Sequence, residues 1–186
     1  WEANTKALCK KAYSRMGLLT KLRYAGVSVE DLILIYKQYI RLRLEYCSVV
    51  FHSSLTVQQS ASLERCQAVC LRVILQECYV SYSAALGMTG LQALSDRRLE
   101  RCRDFTVKCI KDPHNTIFFP TNPNLELPIE TRRRDQFKVN FCRTSQYKKS
   151  AIPFCQRLAN EYWAQLEDEE EGEREGEEGG QGEEGG

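Results

Sequence analysis

Residues 31–75, DLILIYKQYIRLRLEYCSVVFHSSLTVQQSASLERCQAVCLRVIL, decide the fold, because they read as two amphipathic helices joined by a short turn. In the first half, Leu32, Ile35, Tyr36, Tyr39, Ile40 and Cys47 recur at spacings of three, four and seven, while Lys37, Gln38, Arg41 and Arg43 fall largely elsewhere on the helical wheel. One side of this helix is therefore expected to pack. The second half opens on Thr56 with Gln59 three residues later, so the threonine hydroxyl can accept a first-turn N–H while the glutamine reaches back. Leu63, Cys66, Cys70, Leu71 and Ile74 then form a second apolar stripe. His52, Ser53 and Ser54 make the turn, and the β-branched and aromatic run at 46–51 reads as a continuation of the first helix.

Upstream, residues 1–23 form a helix candidate with Leu8, Ala12, Leu19 and Leu22 apolar and six basic residues around them, ended by Gly26. Ser28 precedes Asp31 by three positions, giving a cap with Glu30 and Asp31 at the positive end of the helix dipole. Downstream, a short helical piece at 82–86 is punctuated by Gly87 and Gly90. Residues 91–111 follow as a helix with Leu91, Leu94, Cys102, Phe105 and Cys109 on its buried face, stopped by Pro113. Pro120, Pro123 and Pro128 describe an extended linker, and 131–147 reads as a β-ribbon or an irregular arm. A short helix at 155–166 precedes a tail of almost only Glu, Gly, Asp, Gln and Arg, whose lack of apolar side chains predicts disorder. The expected class is all-α: a helical bundle with a long extended basic arm and a disordered acidic tail. Its parts are a helical domain at 1–112, the linker and basic arm at 113–149, a C-terminal helix at 150–166 and the tail at 167–186.

The chain has 186 residues, 42% of them hydrophobic, enough for one ordinary domain. No apolar run approaches the roughly 18 residues of a membrane span. It starts at Trp1 without a signal-peptide pattern, which predicts a fragment that is intracellular, in nucleus or cytoplasm, and not secreted. The net charge of +1 conceals two blocks: residues 167–186 hold eleven acidic residues and one basic one, −10, leaving +11 on the rest. Nine cysteines, several on apolar helix faces, read as small buried hydrophobes in a reduced chain rather than as a disulfide scaffold.

Little catalytic chemistry is legible. Two-metal catalysis needs clustered carboxylates, and before the tail the adjacent pair Glu30 and Asp31 sits in a helical first turn, where capping accounts for it. Cys66 and Cys70 lie one turn apart, with Cys102, Cys109 and His114 as conceivable helpers, but structural zinc sites show two compact ligand pairs. His52 and His114 have no identifiable catalytic partner, and no Gly-rich phosphate loop occurs. No catalytic residue, metal, cofactor or small-molecule substrate is expected. What remains is positive charge interleaved with aromatics, above all RRRDQFKVNFCRTSQYKK at 132–149, able to neutralise phosphates and offer stacking surfaces. A solvated surface with Phe137, Phe141 and Tyr147 in the core accounts for the same composition.

The string Leu34 to Arg41, LIYKQYIR, then Leu44 to Leu55, LEYCSVVFHSSL, then Leu63 to Gln67, LERCQ, resembles the segment that follows the polymerase palm in non-LTR, LINE-like retrotransposon reverse transcriptases. Ser81 to Leu91, SYSAALGMTGL, with Leu94 to Arg98, LSDRR, and Arg143 to Cys155 followed by Arg157 to Asn160, are similar to later motifs of that family. The likeness spans about residues 1–163 and concerns the thumb and C-terminal region of a much longer enzyme. Leu42 stands where the family commonly has Pro, Phe51 where it usually has Trp, and the acidic tail falls outside the pattern. The resemblance implies an RNA-directed DNA polymerase as parent, whose palm and paired-aspartate motif are not in this chain, so no catalysis is expected of it. It implies a partner, primer-template RNA or DNA, gripped through its phosphates. By charge, the expected contacts are Lys37, Arg41, Arg43, Arg65, Arg72, Arg97, Arg98, Arg101, Arg132, Arg133, Arg134, Lys138, Arg143, Lys148 and Lys149. The alternative is a decayed or repurposed helical interaction domain that binds no nucleic acid.

Overall fold

Ser28 and Thr56 start helices where the sequence places them. In the computed structural model, which describes residues 1–115, 117–123 and 135–179, with side chains in the last helix through residue 167, the chain is helical. Among the described residues the extended pairing is limited to an isolated antiparallel bridge, Thr121 to Phe137. Two compact units result, Trp1–Cys102 and Arg103–Gly186, divided inside a helix rather than at residue 112.

The first unit runs α1 (Glu2–Tyr24), α2 (Val29–Ile35), a π-helical turn (Tyr36–Arg41), α3 (Leu42–Leu44), α4 (Ser48–Phe51), α5 (Val57–Leu75), α6 (Tyr82–Thr89) and the start of α7 (Leu94–Lys111). Gly26, at φ +83°, ends the turn after α1 in a conformation that a Cβ disfavours. Ser28 Oγ accepts the Asp31 N–H at 3.1 Å. At α5 the full capping box forms: the Gln59 N–H donates to Thr56 Oγ1 at 3.2 Å and the Thr56 N–H to Gln59 Oε1 at 3.0 Å.

Both stripes pack, the first with a changed register. Leu32, Tyr36, Ile40 and Leu44 are all buried at a spacing of four. In an α-helix that spacing drifts by about 40° per step, and the wider i→i+5 turn at Tyr36–Arg41 takes up the drift, keeping the four residues in line. Tyr39 and Cys47, expected on this face, are exposed instead, because the π turn rotates them out and the helix stops at Leu44. Cys47 sits at φ +54° and restarts the chain into α4. The second stripe stands as read: Leu63, Cys66, Cys70, Leu71 and Ile74 are buried against Leu8, Ala12 and Leu19 of α1. Each buried Leu or Ile contributes about 1.5–3 kcal/mol.

Further on, α6 continues through Gly87 to Thr89 and stops at Gly90, φ +62°. Helix α7 begins at Leu94, not Leu91, because its first N–H groups are taken by a side chain of α5, described below. Its buried line is Leu94, Arg98, Cys102 and Thr106, again at a spacing of four, so Phe105, expected inside, is exposed.

The second unit is built on the end of α7, a short helical turn α8 (Ser145–Lys148) capped by Thr144, and α9 (Ala151–Gly179). Pro153 is tolerated because it lies in the first turn of α9, where its missing N–H has no partner to lose. Residues 135–142 are irregular, not a ribbon, and amide side chains of α9 hold them. Asn160 accepts the Phe137 N–H at 2.8 Å and donates to the Phe137 carbonyl at 2.9 Å, as a neighbouring strand would. Gln156 accepts the Asn140 N–H and donates to the Phe118 carbonyl, both at 2.8 Å. Phe119, Phe137 and Trp163 meet edge to face at 6.1 and 6.0 Å. Phe137 is thus core, whereas Phe141 is 84% exposed. The helix expected to close near Leu166 runs on to Gly179, since Glu is a good helix former even without apolar neighbours. Residues 167–179, expected to be disordered, are helical, and 180–186 lie outside the described residues.

Candidate nucleic-acid interface

A connected set of polar side chains holds the first unit together. The Tyr36 hydroxyl donates to Gln67 Oε1, and Gln67 Nε2 donates to the Tyr82 hydroxyl and to the Gln92 carbonyl, each at 2.9 Å. Tyr82 in turn donates to Glu64 Oε2. The Glu64 carboxylate also accepts the N–H groups of Leu94 at 3.1 Å and Ser95 at 2.6 Å, so it caps α7 from α5. An anion there meets the positive end of the helix dipole. Burial, reinforced by the Glu64 charge, raises the Tyr82 pKa above the ordinary tyrosine value. Arg98, 1% exposed, donates to Ser60 Oγ at 2.8 Å and lies 3.9 Å from Glu64. Desolvation lowers its pKa and the Glu64 charge opposes that shift.

Glu45 organises the cationic face. It stands at the C-terminal end of α3, where the helix dipole disfavours an acid, and it is 1% exposed. Arg97 compensates with two bonds, Nε to Oε1 at 2.7 Å and Nη2 to Oε2 at 3.3 Å, and Arg101 adds a contact at 3.5 Å. The hydrogen bond to Glu45 raises the Arg97 pKa. Arg41 belongs to the same electrostatic group: burial depresses its pKa first, then the positive charge of Arg97, with Glu45 opposing. Three guanidinium groups therefore surround one carboxylate and leave positive charge uncompensated.

Beside this cluster is a groove of about 430 Å³ lined by Gln38, Tyr39, Leu42, Arg43, Glu45, Tyr46, Cys47 and Arg101. Arg43 is exposed, Lys37, Arg41 and Arg101 are half-buried, and Tyr39 and Tyr46 present 46% and 69% of their surface. Cations next to open aromatic rings suit a phosphate backbone with stacked bases.

Of the other expected contacts, Arg65 and Arg72 are exposed on α5, Arg72 lying 5.1 Å over the Tyr79 ring. Arg98, chosen as a surface cation, is inside, where its charge serves packing, and Arg97 is committed to Glu45. In the second unit Lys138, Arg143, Lys148 and Lys149 are exposed along with Phe141 and the 41% exposed Tyr147. Arg132, Arg133 and Arg134 lie outside the described residues. Composition did not single out Glu45, Glu64, Gln67 or Tyr82. The sequence signal for Glu45 was its place in the string LEYCSVVFHSSL that carries the resemblance; the helix end that makes an acid there call for a cationic partner is visible only in the structure. Among the described residues no group of His, Cys, Asp and Glu gathers as a metal site, and no helix is long and apolar enough to cross a membrane. Compared with known proteins, the chain matches no family model, and no curated protein or solved structure resembles it significantly.

Proposed function

We propose that this chain is the part of a retroelement reverse transcriptase that follows the polymerase palm, and that it binds primer-template nucleic acid through phosphates without sequence preference and without catalysis of its own. The architecture that goes with this reading is a helical thumb bundle continued by a basic arm. One observation supports it most. Residues that carry the resemblance, Tyr36, Glu45, Glu64, Gln67, Tyr82, Arg97 and Arg98, all join in hydrogen bonds and ion pairs that tie the π-helical turn and the end of α3 to α5, α6 and α7. A set of motifs scattered along the chain thus has a shared physical purpose, holding the scaffold that presents Arg43, Lys37 and the groove. The ligand side follows from charge: exposed cations meet phosphates and give affinity without base readout.

The test is a titration of the 186-residue chain against an RNA–DNA hybrid duplex at about 50 and about 200 mM salt. Binding is expected to weaken steeply with salt, and Lys37→Glu with Arg43→Glu to reduce the logarithmic salt slope by about 2. No association at the lower salt, with an intact helical spectrum, overturns the proposal and selects the interaction domain that binds no nucleic acid.

A further inference from the structure

A cavity of about 750 Å³ in the first unit lies between α1 and the start of α5, lined by residues of 2–13 and 56–65. It is separate from the groove beside Glu45 and shares with the expected contacts only Arg65. Its volume is in the range of small-ligand sites. Lys6, Lys10 and Arg65 line it against a single acid, Glu2, which binds Lys6 at 2.6 Å. Lys10 and Arg65 have no ion-pair partner among the described residues. The wall therefore carries a formal excess of two positive charges.

Three further features point to an anionic ligand with a planar part. Thr5 is among the lining residues, and although it is only 4% exposed its Oγ1 has no hydrogen-bond partner among the described residues. A buried hydroxyl left unpaired is costly unless something completes it. The start of α5 borders the same space, and its capping box satisfies the N–H groups of Thr56 and Gln59 but not those of Val57 and Gln58. Free first-turn N–H groups at the positive end of a nineteen-residue helix favour a phosphate. Tyr13, 44% exposed, also lines the cavity and offers ring surface to a base.

We propose that this groove binds a nucleoside phosphate, its phosphoryl oxygens held by Lys6, Lys10, Arg65 and the start of α5, and its base beside Tyr13. The ligand is either a free nucleotide or one unit of a single strand, and the site stands whether or not the chain derives from a reverse transcriptase. The decisive measurement is calorimetric titration of the 186-residue chain, unchanged and with Lys10→Glu plus Arg65→Glu, against ATP, a short oligothymidylate and inorganic phosphate. Both substituted residues are exposed, so circular dichroism should show an unchanged fold. The substitutions should weaken binding of ATP or of the strand by about tenfold or more. Weakened ATP binding identifies the free nucleotide as a ligand, and weakened strand binding in a chain that ignores ATP identifies the nucleotide within a strand. Equal affinities of both chains for both probes, failure to bind either, or phosphate binding as tightly as ATP would overturn the proposal. Arg65 is also among the contacts expected for a duplex and Lys10 is not, so Lys10→Glu alone, which should weaken the same binding, separates failure here from failure of the duplex reading, tested at Lys37 and Arg43.

Discussion

Replacing Glu45 by Gln keeps the shape of the side chain and removes the one charge around which Arg41, Arg97 and Arg101 gather. Breaking a buried pair by deleting one partner costs about 3–5 kcal/mol, because the other charge is left desolvated. Here the cost should be smaller. The Arg97 side chain is 23% exposed and that of Arg101 40%, so both can recover some hydration, while Arg41 is left facing two other cations with no anion between them. We expect a loss of about 2–3 kcal/mol, read as a lower urea midpoint with an unchanged slope. Adding Arg97→Leu to Glu45→Gln should return part of that loss, since the remaining penalty belongs to the unpaired guanidinium. In Glu45→Gln alone, affinity for a nucleic-acid duplex should hold or rise, because a negative charge has left the cationic face. A midpoint shift corresponding to less than about 0.5 kcal/mol, the size of an ordinary surface substitution, would refute the view that Glu45 organises this face.

Two further outcomes follow from single residues. Burial, and secondarily the charge of Arg98, depresses the His52 pKa below its ordinary value of 6.5, so the unfolded chain takes up the proton first. The His52 contribution is complete above pH 6.5 and is lost as pH falls from there through the folded value; His52→Gln should flatten the stability profile between about pH 7 and 5. Cys47 is exposed and held at φ +54°, a region costing a non-glycine residue about 1–2 kcal/mol. Cys47→Gly should therefore raise stability by roughly 0.5–1 kcal/mol after the added freedom of the unfolded chain is subtracted, and a destabilised variant in the same urea titration would show that the thiol contributes packing there.

What the sequence determined by itself was local. Caps at Ser28 and Thr56, the stop at Gly26 and the stripe from Leu63 to Ile74 follow from hydrogen bonds and spacings within a few residues, and all are present. Tertiary structure decided what depends on a partner far along the chain. Whether Arg98 faces solvent or the interior depends on Ser60 and Glu64, which α5 brings to it. The start of α7 depends on that same Glu64 carboxylate taking the first N–H groups, and the exposure of Tyr39 depends on a π turn that aligns Leu32, Tyr36, Ile40 and Leu44 on one core. Charge composition reports how many cations a chain carries. Only packing fixes which of them are spent on buried carboxylates, because an arginine at the surface and one that pairs inside are the same letter until the anion opposite is known.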